Sequence, residues 1–177
     1  MKFTKEDARK RVLNCAKQYQ QNLLHKKLLI IFRERQDNSI RFIEVIFHER
    51  NYQHLTGLEL TNTEGKILQH QSKNLYRKCI ENKLGLNDVD KVMGGVNFCL
   101  GLSRENDVFI PSSALLEDIK KLTSSPSQVL AIFEKDIDSE LYSTVKHVAK
   151  GLNLHHLILP PEISSKISLE HYVYRGK

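Results

Sequence analysis

The chain has 177 residues, 40% hydrophobic and 27% charged, with a formal charge of +6. That length and balance fit a single domain over 1–177 with a real core, and argue against disorder or several full-sized domains. Its three widely spaced cysteines, Cys15, Cys79 and Cys99, argue against a disulfide framework or a zinc knuckle and fit buried thiols in a reducing cytoplasm.

The stretch M-K-F-T-K-E-D-A-R-K-R is charged and lacks the apolar run of a secretory signal. Residues 4–27 read as a helix. Thr4 is placed to cap it, with Asp7 three residues on, and Phe3 and Ala8 stand at staple positions. Ala8, Val12, Cys15, Ala16, Tyr19 and Leu23 recur at steps of three and four and make one apolar stripe. Lys5, Arg9, Lys17 and Lys26 lie mostly off that stripe, on a solvated face.

Residues 28–32 form a short apolar strand. The turn cluster 36–39 leads into 40–47, rich in Ile, Phe and Val, so a hairpin with a longer loop is expected. Next comes R-N-Y-Q-H-L-T-G-L at 50–58, read as a turn or an extended piece with Leu55 and Leu58 inward and Gly57 allowing a tight bend. A loop at 61–65 precedes a helix at about 72–84, with Leu75, Cys79 and Ile80 on one face and Gly85 to stop it. Residues 86–90 suggest a turn or a small helix.

Gly94-Gly95 reads as a bend into a strand at 96–102, which turns back at 104–107 into 108–110, ended by Pro111. Residues 113–122 fit a short helix or a loop, 124–127 a break, and 128–133 another strand. Residues 141–149 fit a strand or a short helix, and the strand is preferred. Residues 154–159 read as a strand closed by Pro160-Pro161. The tail at 171–175 is rich in strand formers. The fold class is α+β: a leading helix, a mainly antiparallel sheet and a middle helix.

Several chemistries find no support. There is no H-E-x-x-H, no finger spacing, no phosphate loop and no G-x-S-x-G elbow, so no metal and no cofactor are expected. No run of residues is long and apolar enough to suggest a membrane span. The charge is uneven: the first fifty residues hold 12 Lys or Arg against 6 Asp or Glu, and the remainder holds 15 of each sign. Such an excess suits RNA, DNA or an acidic protein as partner, and is also ordinary for a solvated helix face.

The polar set around His54 remains. Metal-free RNA cleavage needs a base for the 2′-hydroxyl proton, an acid for the leaving oxygen and a cation for the phosphate. Imidazole suits either proton role, because its unperturbed pKa is about 6.5. On extended backbone His54 and Thr56 share one face, and Thr56 can donate its hydroxyl to a phosphate oxygen. The alternative is structural, a histidine whose hydrogen bond closes the 52–58 turn. Arg77 and Lys78, on the expected middle helix, can join a phosphate-binding surface.

Residues 47–58, F-H-E-R-N-Y-Q-H-L-T-G-L, resemble the hydrophobic-Asn-aromatic-x-His-Leu-Thr-Gly signature of small phage-associated domains. These are grouped with barnase, EndoU, colicin and RelE-like nucleases. The likeness continues into N-L-Y-R-K-C-I-E-N-K-L at 74–84 and covers about 5–160. It implies a leading helix packed on a twisted antiparallel sheet, phage or mobile-element association, toxin-like character and metal-independent endoribonuclease activity.

His54 and Thr56 carry over from the signature. His147 or Lys146 is nominated as the second acid/base, since a late strand can bring one of them beside His54 and only one can face a given side. Arg33, Arg50, Arg77 and Lys78 are assigned to phosphate. RNA is the expected partner, with an antitoxin or host protein as a further one and no membrane. The alternative function is a non-catalytic nucleic-acid-binding or protein-interaction domain that uses the basic amino-terminal third.

Overall fold

The structure, a computed structural model, describes residues 5–56, 89–168 and 173–174. The expected middle helix at 72–84, with Arg77, Lys78 and Cys79, lies outside the described residues, as does the 61–65 loop.

Helix α1 is Lys5–Asn22 and strand β1 is Lys26–Arg33. The helix stops earlier than its periodicity suggests because the strand begins earlier. Leu23 and Leu24 N–H both donate to Tyr19 O, and His25 adopts φ 59°, which turns the chain into β1. Tyr19 is buried on the expected stripe, but Cys15 is exposed, contrary to the buried thiol expected there.

Strand β1 pairs antiparallel with β2, Ile40–Ile46, as the expected hairpin, with Leu28 opposite Val45 and Ile30 opposite Ile43. The hairpin loop is held by Asp37, whose Oδ1 accepts from both the N–H and the Oγ of Ser39, and by its ion pair to Arg41. Helix α2, Glu49–Thr56, follows. This corrects the turn or extended reading over 50–56, while Gly57 and Leu58 lie outside the described residues.

Strand β3, Lys91–Gly94, was not expected: it is short and its exposure is mixed, so no alternation marks it. It pairs with β4, Cys99–Glu105, through the Gly94-Gly95 bend. A Cβ on Gly94 would strike the Phe98 carbonyl and stand 2.6 Å from Cys99 Cα, so the close approach requires glycine.

Strand β5, Val108–Leu115, runs straight through Pro111 instead of ending there. The β4–β5 register shifts between Gly101 and Leu102, opposite Pro111, and an irregular ladder tolerates a residue without an N–H. Helix α3, Ile119–Leu122, is capped by Asp118, whose Oδ1 accepts from Lys120 N–H at 2.9 Å. Strands β6, Gln128–Asp136, and β7, Thr144–Val148, meet the strand expectations.

Residues 154–159 are not a strand. Asn153 caps a 3-10 turn at Leu154–His156, and α4, Pro161–Ser164, starts on a proline whose missing N–H costs nothing there. Strand β8, Val173–Tyr174, adds to β7 in parallel.

The described strands form one sheet ordered β3-β4-β5-β2-β1-β6-β7-β8, antiparallel except at β5–β2 and β7–β8. The fold is α+β. β1 lies near the middle, and Leu28–Phe32 are all buried because both faces are covered. On one face Leu29, Ile31, Phe133 and Val145 pack under the chain from Tyr142 to Ile167. On the other, Leu28, Ile30, Ile43, Val45 and Leu102 meet Tyr19 of α1 and Tyr52 and Leu55 of α2.

The carboxyl-terminal cover is pinned by buried Tyr142, whose hydroxyl donates to Glu44 Oε1 at 2.7 Å. Lys27 and Lys166 flank that carboxylate at 3.3 and 3.5 Å.

Candidate functional site

Helix α2 begins with a cap that its sequence encodes in an unusual form. Asn51 Oδ1 accepts from His48 N–H at 2.7 Å, and Asn51 N–H donates to His48 O at 3.0 Å. The first bond is the half of a capping box in which the third helical residue reaches back to the N-cap N–H, with Asn where Glu or Gln is usual; the second is a backbone bond to the His48 carbonyl. Asn51 is only 4% exposed, and its Nδ2 donates to the buried Pro111 carbonyl of β5 at 2.9 Å. Tyr52 Oη donates to Val12 O of α1 at 2.7 Å, and Tyr19 Oη donates to His48 O at 2.8 Å.

The Tyr19 and Tyr52 rings lie 5.2 Å apart, and Tyr19 meets Phe47 edge-on at 6.0 Å. Burial pushes the Tyr19 hydroxyl up to about 12, so it stays a donor across the physiological range. The Asn and the aromatic residue of the signature are therefore anchors. They tie α2 to the sheet and to α1.

His54 and Thr56 lie in the last turn of α2. Sharing a face at a spacing of two requires extended backbone; on a helix, positions two apart diverge by about 200°. The geometry expected to pair them is therefore replaced by a helical one. The acidic first turn at Glu49 and the Tyr52–Leu55 spacing of three were the local signs of this helix.

Arg50 makes an exposed ion pair with Glu105 of β4 at 2.6 Å. Arg33 stands at the end of β1, half-buried, paired in register with Ile40 and Gln128.

Lys146 and His147 lie on β7. Lys146 Nζ is 3.0 Å from Glu134 Oε2 on β6, and Lys26 of β1 pairs with Asp136 while reaching Glu134 at 4.0 Å. Glu134 is buried, and two cations flank it. The β6–β7 register shifts so that Ile132 faces His147 while Phe133 faces Val145, leaving Lys146 as the extra residue. A bulge at this point interrupts the strict alternation of the strand.

Helix α2 packs against β5, and β7 lies four places further along the sheet. At about 4.8 Å per strand that is about 19 Å. The topology thus groups Lys146 and His147 with Glu134 and Lys26, while Arg50 groups with the β4–β5 hairpin. Neither Glu134 nor the cleft described next had been singled out from sequence. A lone Glu in an apolar strand, E in Q-V-L-A-I-F-E-K-D, was the available signal for the former.

The α2 side of the sheet also carries a cleft of about 430 Å3. Ile30, Phe32, Met93, Leu102 and Val129 line its depth, and Glu34, Asp90, Lys91 and Ser127 stand among its polar residues. Among the described residues no group of three or more His, Cys, Asp or Glu is placed to hold a metal ion, and no helix is long and apolar enough to cross a membrane.

No curated protein and no solved structure matches the chain. A family model does match, over the segment that holds the last two thirds of α1, the first hairpin, α2 and β3. Residues 11–95 match the family described as phage-Barnase-EndoU-ColicinE5/D-RelE like nuclease4 (PBECR4), so that segment is similar to the kind of nuclease-like domain its signature resembles.

Proposed function

We infer that the protein is a metal-independent endoribonuclease that cleaves RNA by internal transesterification. One observation carries the reading: α2, which bears His54, Leu55 and Thr56 of the H-L-T-G core, lies inside the nuclease-family match and is tied down from both sides by Asn51 and Tyr52. A helix held this way offers a fixed platform for a reacting group, and positioning is a large part of phosphoryl-transfer catalysis.

In the proposed step a base removes the ribose 2′-hydroxyl proton and the 2′-oxygen attacks its own phosphorus. The bond from phosphorus to the 5′-oxygen breaks as an acid protonates that oxygen. The products carry a 2′,3′-cyclic phosphate and a 5′-hydroxyl. His54 supplies one proton role. Lys146 and His147 do not supply the other, because their strand lies about 19 Å along the sheet from the one α2 packs against. Thr56, Arg33, Arg50, Arg77 and Lys78 are the proposed phosphate contacts.

Arg50 is compatible with that role despite its ion pair, because an exposed pair of this kind contributes about 0–1 kcal/mol and exchanges readily for a phosphate. Widely spaced cysteines that are free at Cys15 and Cys99 suit a cytoplasmic setting. A phage or mobile-element origin, toxin-like action and an antitoxin or host partner belong to the same proposal.

The test is incubation of labelled RNA with wild type and H54A in EDTA, with mapping of the ends across pH 5–8, a window around the histidine pKa of about 6.5. Cleavage that leaves cyclic phosphates and is lost in a cooperatively folding H54A supports the reading. Absence of cleavage by wild type overturns it. A second reading, salt-sensitive nucleic-acid binding without cleavage, is favoured by the exposed Arg9, Lys10, Arg11 and Lys17 on α1. Charge reversal at Arg9 and Arg11 would then abolish binding, and H54A would leave it intact.

A further inference from the structure

The cleft on the α2 side of the sheet has no part in the roles assigned so far. Its volume of about 430 Å3 falls within the range of about 300–1,000 Å3 typical of small-molecule sites. Its depth is apolar, built by Ile30 and Phe32 of β1, Leu102 of β4 and Val129 of β6, with Met93 of β3 at the side. Its polar groups are mostly acceptors. Ser127 Oγ donates to Glu34 Oε2 at 2.6 Å and fixes that carboxylate, while Asp90 Oδ2 accepts the Arg104 N–H at 2.6 Å. Lys91 Nζ stands 5.7 Å from the centre of the Phe32 ring.

Two carboxylates against one ammonium make the lining net negative. A phosphate is disfavoured there, whereas a flat neutral group that presents N–H donors meets both the apolar depth and the carboxylate acceptors. In RNA that group is a nucleobase with an exocyclic amine. We propose, resting on the ribonuclease reading, that this cleft is a base-recognition subsite. It takes guanine, adenine or cytosine with an amino group toward Glu34, and Lys91 serves the adjoining phosphate. Uracil has no exocyclic amine, and its N3–H donor is flanked by two carbonyl oxygens that a carboxylate repels, so it is disfavoured. A site built to accept hydrogen bonds from an amine discriminates against a ligand that lacks one.

The experiment measures equilibrium binding of the four nucleoside 3′-monophosphates in EDTA to the full chain, to Glu34→Gln and to Ser125→Trp. The chain has no tryptophan, so Ser125→Trp both obstructs the cleft and places a single fluorophore in it. The amino-bearing nucleotides should bind about tenfold or more tightly than the uridine nucleotide. Glu34→Gln, which replaces an acceptor by a donor and an acceptor, should bring the four near parity, and Ser125→Trp should abolish binding.

Equal binding of all four by wild type, no binding at all, or an undiminished preference in Glu34→Gln overturns the proposal. RNA cleavage is assayed on the same samples. Selective binding without cleavage upholds the subsite and removes the ribonuclease reading. Cleavage without selective binding does the reverse.

Discussion

Replacing Asn51 by alanine tests whether α2 is held in place by one side chain. Two hydrogen bonds vanish, one to His48 N–H at 2.7 Å and one to Pro111 O at 2.9 Å. Each contributes about 1 kcal/mol net, and a buried partner left without a replacement costs about 1–3 kcal/mol. His48 is half-buried and its N–H can recover water, whereas the Asn51–Pro111 bond is buried. The expected loss is therefore about 2–4 kcal/mol, against about 1 kcal/mol for loss of an ordinary exposed cap.

For a chain of this size a loss of 3 kcal/mol lowers Tm by about 6–12 °C. Urea unfolding followed by circular dichroism measures it directly, with an unchanged m-value as the sign that only stability moved. Asn51→Asp keeps the acceptor for His48 N–H but sets an anion against the Pro111 carbonyl, so it should destabilise at least as much as alanine at neutral pH. A loss below about 1 kcal/mol in Asn51→Ala would refute the argument, because α2 would then hold its place without the bond to β5.

Other expected outcomes follow from the same geometry. Burial pushes the Glu44 carboxyl up, but the Tyr142 hydrogen bond and the Lys27 and Lys166 charges outweigh it and leave the group below its usual value. Stability from ionised Glu44 is thus present above its unfolded pKa of about 4.3 and lost as pH falls through the lower folded value. Tyr142→Phe should cost about 2 kcal/mol at neutral pH and flatten the acid limb of stability measured by urea titration from pH 3 to 7. A steeper limb would contradict this.

Asp37 is held down to about 2, first by its hydrogen bonds from Ser39 and then by Arg41. Its contribution is present above about pH 4 and lost towards pH 2, so Asp37→Asn should remove that part of the acid dependence. In native thiol labelling followed by mass spectrometry, Cys15 should react before Cys99. Cys15 is exposed, whereas Cys99 is buried, its thiol pushed up by that burial and donating to Glu117 O at 3.3 Å. Prior labelling of Cys99 would show that β4 opens locally.

Strong periodic segments were legible because local and tertiary preferences agree in them. The stripe of α1, the apolar run of β1 and the alternation of β2 and β6 each have one way to bury their residues. α2 was not legible as a helix. Its eight residues are too few to propagate on propensity alone, and its cap uses an Asn whose second hydrogen bond goes to a carbonyl sixty positions away. Residues 154–159 erred in the other direction. Their apolar content marked them as buried, which Leu154 is, but Asn153 and the Pro160-Pro161 pair turn the chain into short helical pieces.

The candidate site divides along the same line. The His-Leu-Thr-Gly core and its likeness to a nuclease family could be read from consecutive residues, since side-chain identity and spacing are properties of the chain. The neighbours of those residues could not. Glu134, Lys146 and Lys26 come together only because β6 lies between β1 and β7. The cleft exists only because β3 and β4 join the sheet across β5 and β2. By itself the sequence determined an α+β domain with a leading helix, a first hairpin and a nuclease-like signature, all from contacts local in the chain. Tertiary structure alone decided which polar groups meet, because strand order is set by burying both faces of β1 at once, and no local pattern encodes that condition.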